Sequence, residues 1–169
     1  KFFYVNPLDV RPEASEKASD FWHVRPTRPG WFGCACCPPN LARLLLSAGT
    51  YQYTLSDGQV TVQLYADSDA TLDVGGGRKA SIGMNTRYPV DGSIRMTVNG
   101  GAFKLALRIP GWCRSYTLTV DGVKTDAVTA DGYVTLEQEW AGQTVELVLD
   151  MPVQRVYAGP QVPHDAGKV

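Results

Sequence analysis

The sequence has no apolar run that approaches the roughly 20 residues of a transmembrane helix, which argues against a membrane partner. It also has no excess of basic residues, because 16 lysines and arginines stand against 17 acidic residues, giving a net charge of −1. Nucleic-acid binding needs a basic surface that displaces counterions, so nucleic acid is excluded as a partner. Four cysteines in 169 residues are too few for a scaffold held together by disulfides.

What remains is the composition of a globular protein, with 44% hydrophobic and 20% charged residues. Its length leaves room for one ordinary domain, or for one domain and a piece of another. The chain starts at Lys1 directly with a strand-like run and ends at Val169 after a turn-rich stretch. We therefore expect both ends to be cuts within a longer protein.

Three of the four cysteines are crowded together at Cys34, Cys36 and Cys37. Neighbouring cysteines rarely bridge each other, because a disulfide needs a suitable Cα separation and correctly aimed Cβ atoms. The cluster is typical of a metal site or of thiolate chemistry, although small buried cysteines are equally compatible with it. Within the chain, the residues that could complete a metal site are Cys34, Cys113, His23 and His164. No second pair of residues has the spacing typical of metal ligands.

A helix is predicted directly after the cysteine pair. Pro38 and Pro39 suit a first turn, where no backbone N–H is needed, and leucines follow at helical spacing. Gly49 is placed to end this helix. Cys36 and Cys37 would then lie at the positive end of the helix dipole, where a thiolate is favoured over a thiol.

From Tyr51 onward the apolar residues recur every second position, which indicates strands. Hairpin dipeptides separate the runs: Asp57-Gly58, Asp91-Gly92, Asn99-Gly100, Asp121-Gly122 and Asp131-Gly132. About ten short strands without intervening helices predict a mainly β fold, an antiparallel β-sandwich over residues 51–157 preceded by an irregular segment and one helix. Residues 158–169, with Gly159, Pro160 and Pro163, are typical of a linker.

The residues also carry a family resemblance. The run from Trp31 to Leu44, with the core Cys-Cys-Pro-Pro-Asn at 36–40, resembles the signature of bacterial β-L-arabinofuranosidases of glycoside hydrolase family 127. The stretch Phe3–Leu8 and the later run Arg108–Cys113 resemble the same family. The resemblance implies that residues 1–50 form the C-terminal end of an (α/α)6 barrel catalytic domain, that the sandwich follows it, and that the linker leads toward a further domain.

The resemblance further implies a retaining glycosidase with a zinc-bound cysteine as its nucleophile. Cys36 matches the nucleophile and is also a zinc ligand, Cys37 matches a second zinc ligand, and Tyr4 matches a tyrosine that contacts the sugar. The family's other zinc ligands and its acid/base glutamate precede the matched region. The chain alone is therefore expected to be inactive.

The expected partners are a small carbohydrate or glycan and the upstream barrel segment of the same protein, with a homodimer left open. Two other hypotheses stay open as well. One is a non-catalytic carbohydrate-binding or structural β-sandwich module with inert cysteines. The other is an interaction domain with a structural zinc or redox site.

Overall fold

A computed structural model describes residues 36–56, 58–155 and 157–162. The chain divides into two units, Lys1–Thr50 and Tyr51–Val169, and each is described by itself. The predictions that concern residues 1–35, including those for Tyr4, His23 and Cys34, lie outside the described residues. The same holds for the last seven residues and for Asp57.

The described part of the first unit is a helix, α1 (Cys37–Ser47), followed by a 3-10 helix (Ala48–Tyr51). The helix begins where the prolines predict. It ends at Ser47 with Ala48 as its C-cap, so Gly49 directly follows its end, as predicted. Gly49 does not take a left-handed conformation, and the chain continues as the 3-10 helix. Among the described residues, no helix is long and apolar enough to cross a bilayer.

The described part of the second unit contains nine strands. They are β1 (Tyr53–Ser56), β2 (Gln59–Val62), β3 (Ser68–Asp73), β4 (Lys79–Thr86), β5 (Ser93–Arg108), β6 (Tyr116–Val120), β7 (Val123–Lys124), β8 (Thr129–Ala130) and β9 (Tyr133–Leu149). The mainly β fold with one preceding helix is thereby confirmed for the described residues. All strand pairs are antiparallel except β2 with β5, so the sheet is mixed rather than purely antiparallel.

The two long strands, β5 and β9, form the centre of the sandwich. Their pairing is interrupted by register shifts between Val98 and Gly101. On one side of this bulge β5 pairs with β4 and β9 pairs with β6; on the other side β5 pairs with β2 and β9 pairs with β8. Side chains from both halves belong to one hydrophobic core, so the sheet folds over itself into two facing layers.

The bulge also changes which residues point inward. On β5 the residues of the core cluster are Ile94, Met96 and Val98 before the bulge, and Phe103, Leu105 and Leu107 after it. The buried set thus passes from even to odd numbers, because the extra residue reverses the alternation of a strand. The predicted alternation is correct on both sides of the bulge. The two strands that Asn99-Gly100 was predicted to separate are, however, one continuous strand.

Gly100 makes this continuity possible. Its φ is +132°, and a Cβ on it would lie 2.5 Å from the Cα of Ala80 and 2.7 Å from the carbonyl oxygen of Lys79. The prediction of a hairpin turn at Asn99-Gly100 is therefore wrong, since the glycine serves a bulge and a close approach of β4. Asp121-Gly122 and Asp131-Gly132 are tight turns as predicted, with positive φ at both residues of each pair.

Trp140 fills the core beside the bulge. It is paired with Gly101 across the sheet, and only 1% of its surface is exposed. Its ring lies 5.8 Å from that of Phe103, and its Nε1 donates a 2.9 Å hydrogen bond to the Phe103 carbonyl oxygen. The indole N–H thus has a hydrogen-bond partner inside the core, so burial of this side chain leaves no unpaired donor.

Candidate active site

The candidate site lies at the start of α1. Cys36 is the residue before the helix, and its φ of −69° and ψ of −34° are already helical. Cys37 is the first helical residue and is followed by the two prolines, whose fixed φ favours this first turn. Both cysteines are exposed. The sequence order Cys-Cys-Pro-Pro therefore places two thiols at the beginning of a helix, as predicted.

The two sulfur atoms, Sγ of Cys36 and Sγ of Cys37, are 3.8 Å apart. This is far beyond the roughly 2.05 Å of a disulfide bond. Two thiolates bound to one tetrahedral zinc ion, each about 2.3 Å from the metal, have sulfur atoms about 3.8 Å apart. The observed separation thus fits two ligands of one zinc ion without rearrangement of the pair.

The prolines limit what the helix itself can do for a thiolate. Pro38 and Pro39 carry no N–H, so Cys37 is the only one of the first three helical residues with a backbone donor. The positive charge of a helix N-terminus resides largely on such N–H groups. This helix N-terminus therefore stabilises a thiolate less than one with free N–H groups at all three positions. A bound cation would add positive charge that stabilises the thiolate.

Two further side chains, to which the sequence pattern assigned no role, are linked to this turn by hydrogen bonds: Asn40 directly and Arg43 through Asn40. The backbone N of Asn40 donates to the carbonyl oxygen of Cys36 at 3.1 Å, and its side-chain Nδ2 donates to the same oxygen at 2.9 Å. Arg43 Nη2 donates to Oδ1 of Asn40. The available signal was spacing, since residues four and three apart share one helix face.

The remaining metal-ligand candidates are not assembled in the described structure. Cys113 lies in the loop after β5, where its Sγ donates to the Ser115 carbonyl oxygen at 3.0 Å. Across residues 36–56, 58–155 and 157–162, no three His, Cys, Asp or Glu side chains are grouped to hold a metal ion. Within that part of the chain the cysteine pair could supply two of the four ligands of a conventional zinc site.

The described part of the sandwich surface carries several shallow grooves. One groove of about 360 Å³ is lined by residues including Arg87, Asp91, Arg95 and Glu146. Its charges are already paired, with Arg95–Glu146 at 3.5 Å and Arg87–Asp91 at 3.7 Å. Such exposed pairs are worth little and leave no unbalanced charge to attract a ligand.

The tyrosines of the sandwich with perturbed acidity have structural roles. Burial raises the pKa of Tyr65 well above its usual value, and its hydroxyl donates a 2.6 Å hydrogen bond to the Arg108 carbonyl oxygen. Burial also raises the pKa of Tyr53, whose hydroxyl is 2.8 Å from Oγ of Ser68. Both phenols stay protonated at neutral pH and act as fixed hydrogen-bonding groups.

Comparison with known proteins places these features in a family. Residues 59–151 match the family description "β-L-arabinofuranosidase, GH127 middle domain". This span covers more than half of the chain and corresponds to the sandwich from β2 to the end of β9. The matched description thus belongs to the core-forming unit, whereas the cysteine pair precedes it.

Individual relatives extend the match over the whole chain. A non-reducing end β-L-arabinofuranosidase of Bifidobacterium longum is 39% identical over 100% of this chain and 26% of its own length. The crystal structure of a GH127 β-L-arabinofuranosidase from Geobacillus stearothermophilus T6 is 47% identical, with a TM-score of 0.84, over 99% of this chain and 27% of that one.

A further structure, a GH127 β-arabinofuranosidase, is 35% identical with a TM-score of 0.76 over 82% of this chain and 25% of its own. The chain therefore spans about a quarter of the length of these relatives.

Proposed function

Because the chain belongs to the GH127 family of β-L-arabinofuranosidases, a family of glycoside hydrolases, we propose that it is part of a retaining enzyme that releases β-L-arabinofuranose. Cys36 is the nucleophile of this enzyme, and Cys36 and Cys37 are two of its zinc ligands. Tyr4 contacts the sugar. One observation carries the proposal: two exposed thiols of a chain so closely related to named arabinofuranosidases lie 3.8 Å apart at a helix start.

The chemistry divides between this chain and the rest of the polypeptide. The Cys36 sulfur attacks the anomeric carbon, and the bond from that carbon to the leaving oxygen breaks as an acid protonates the oxygen. Water then attacks the same carbon, the carbon–sulfur bond breaks, and a base removes the proton from the water. Two displacements at one carbon retain its configuration.

Each cysteine has a separate task in this scheme. A bound zinc ion supplies positive charge that keeps the thiols deprotonated at neutral pH. Cys37 holds its sulfur beside that of Cys36 and so fixes the direction from which the nucleophile approaches the sugar. Because Cys36 precedes the helix whereas Cys37 opens it, the two sulfurs leave the backbone from successive positions and can take these different roles.

The matched region does not include the acid/base group of the family, so the proton transfers are assigned to residues outside this chain. The sandwich then has a supporting role, since the groove beside Arg95 and Glu146 is shallow and its charges are paired with each other. This is the part of the chain to which the alternative, a non-catalytic carbohydrate-binding or structural module, applies.

The test replaces single cysteines in the intact polypeptide that carries this chain. We expect Cys36→Ser to lower kcat/KM for a β-L-arabinofuranoside by about 10³-fold or more, because the hydroxyl is a far poorer nucleophile and leaving group. Cys113→Ser is the matched control, since that thiol lies in the sandwich, where its Sγ donates to the Ser115 carbonyl oxygen. Activity of Cys36→Ser equal to that of the control would rule out Cys36 as nucleophile.

Two further measurements separate the parts of the proposal. Mass spectrometry after incubation with a slow substrate should find the sugar on the peptide containing Cys36, and a sugar on any other residue would reassign the nucleophile. Metal analysis should find zinc in the intact protein and less of it in Cys37→Ser. Residues 1–169 alone should show no turnover, and measurable turnover would mean that the acid/base group lies within them.

A further inference from the structure

We propose that Asn40 and Arg43 are positioning residues that fix the peptide group between Cys36 and Cys37 and thereby hold the two sulfur atoms at the separation needed for one metal ion. This inference rests on the proposed function and assigns to it two residues beyond the cysteines. It follows from three observations: the double hydrogen bond to the Cys36 carbonyl, the contact that orients the Asn40 amide, and the two prolines in between.

The Cys36 carbonyl belongs to the peptide group that joins the two cysteines. Its orientation determines ψ of Cys36 and φ of Cys37, the two backbone angles that set how far apart their Cβ atoms lie. This oxygen accepts one hydrogen bond from the Asn40 backbone N at 3.1 Å and another from Asn40 Nδ2 at 2.9 Å. Two donors on one carbonyl oxygen restrain the rotation of the peptide group more than one donor does.

Arg43 determines which end of the Asn40 amide faces the carbonyl. An arginine side chain is only a donor, and Arg43 Nη2 donates to Oδ1 of Asn40. With Oδ1 held by Arg43, Nδ2 is turned toward the Cys36 oxygen, as its 2.9 Å hydrogen bond shows. The three residues therefore form one chain of hydrogen bonds along a single helix face, from Arg43 through Asn40 to Cys36.

The two prolines increase the importance of the Asn40 hydrogen bonds. Neither Pro38 nor Pro39 can donate to anything, so the first N–H after them is that of Asn40. Asn40 thus ties the Cys36–Cys37 peptide to the helix with both its backbone and its side chain.

The test measures metal binding by the 169-residue chain with Cd²⁺ as the probe. A background with Cys34→Ser and Cys113→Ser leaves Cys36 and Cys37 as the only thiols, and thiolate-to-Cd²⁺ charge-transfer absorption follows their occupancy. In this background we expect Asn40→Leu to weaken Cd²⁺ binding by about tenfold, the lower end of the usual effect of losing a group that orients metal ligands.

Leucine has at least the helix propensity of asparagine, so a weaker α1 would not explain the loss. Ser47→Ala is the matched control. Ser47 Oγ bonds the carbonyl oxygens of Arg43 and Leu44 in the same helix without touching the cysteine turn. We expect its Cd²⁺ affinity to equal that of the background protein.

The role of Arg43 is tested with separate variants. Removing its positive charge would by itself favour binding of a cation, whereas loss of its hold on Asn40 should weaken binding. We expect Arg43→Met to bind Cd²⁺ more weakly than the background and Arg43→Lys, which keeps a donor, to restore much of the affinity. Tighter binding by Arg43→Met would overturn the positioning role of Arg43.

The outcomes distinguish this inference from the proposed function. If the background protein binds Cd²⁺ and Asn40→Leu binds it equally well, the positioning role is wrong while the zinc site stands. Equal losses in Asn40→Leu and Ser47→Ala would likewise overturn it, because general weakening of the helix would explain both. If the background protein gives no charge-transfer band at all, the cysteine pair of this chain is not the preorganised metal-binding unit that the positioning role requires, and that role is wrong. The zinc site of the proposed function is then judged separately, by the metal content of the intact polypeptide.

Discussion

The helix region and the sandwich region differ most clearly in where their apolar side chains lie. In α1 no residue is buried, and its leucines are largely exposed: Leu41, Leu44, Leu45 and Leu46. In the sandwich, the periodic residues of β5 and β9 are almost all buried in one core. Periodic apolar residues thus form a buried core in the sandwich, whereas in the helix they are exposed.

Because of this difference, the stability of the fold and the proposed chemistry depend on different regions of the chain. The sandwich supplies its own hydrophobic stabilisation through side chains such as Trp140, Ile94 and Leu147, each no more than 1% exposed. The helix carries the thiols proposed for catalysis but buries nothing within the described structure. Substitutions in the two regions should therefore affect different measurements.

The largest expected effect is on the sandwich core. Trp140→Ala should lower the free energy of unfolding by about 3–5 kcal/mol, because it leaves a large cavity and removes the hydrogen bond from the indole to the Phe103 carbonyl oxygen. Urea denaturation followed by tyrosine fluorescence or circular dichroism measures the change. Cd²⁺ binding at the cysteine pair, measured under native conditions, should stay the same. A loss of Cd²⁺ binding in a still-folded variant would contradict the separation of the two regions.

The next effect concerns the bulge that folds the sheet over. Gly100→Ala should destabilise the sandwich by about 1–3 kcal/mol, since its Cβ would collide with the backbone of β4 and its φ is unfavourable for alanine. Gly76→Ala is the control, because Gly76 also has a positive φ but nothing lies within 4 Å of its added Cβ. Equal losses in thermal or chemical denaturation would show that backbone conformation, rather than the close approach, sets the cost.

A smaller effect depends on pH. The folded-state pKa of Tyr65 is raised above the unfolded value of 10.0, so its protonated form contributes stability that is complete below pH 10 and is lost as the pH rises further. Tyr65→Phe should cost about 1 kcal/mol at pH 7 by removing the bond to Arg108. Between pH 9 and 11 the unsubstituted chain should lose more stability than Tyr65→Phe. Parallel losses would assign the alkaline sensitivity to other groups.

The smallest effect belongs to the helix. Leu46 is 90% exposed, so Leu46→Gln should change the free energy of unfolding of the sandwich by less than about 0.5 kcal/mol. Leu147→Ala, at a position with 0% exposure on β9, serves as the contrasting variant and should cost about 2–5 kcal/mol. A comparable loss in both would show that the helix leucine contributes to the same cooperative unit as the core.

The sequence by itself determined the local features. Alternating apolar residues predicted the buried faces of β5, β6 and β9, and the Asp-Gly pairs at 121–122 and 131–132 predicted two tight turns. The prolines after Cys37 predicted the helix start, and the Cys-Cys-Pro-Pro-Asn run pointed to the family. These predictions succeeded because side-chain periodicity, turn conformation and proline geometry depend on neighbours along the chain.

Only the tertiary structure decided the features that depend on distant residues. Asn99-Gly100 has the composition of a hairpin turn, yet pairing with β9 and the close approach of β4 make it a bulge in a continuous strand. The parallel pairing of β2 with β5 has no local signal at all. At the candidate site, the spacing of Asn40 and Arg43 was visible, but the carbonyl they restrain was not, because atomic positions decide which donor meets which oxygen. Local sequence sets what each segment can form, and the contacts made on folding select among those forms.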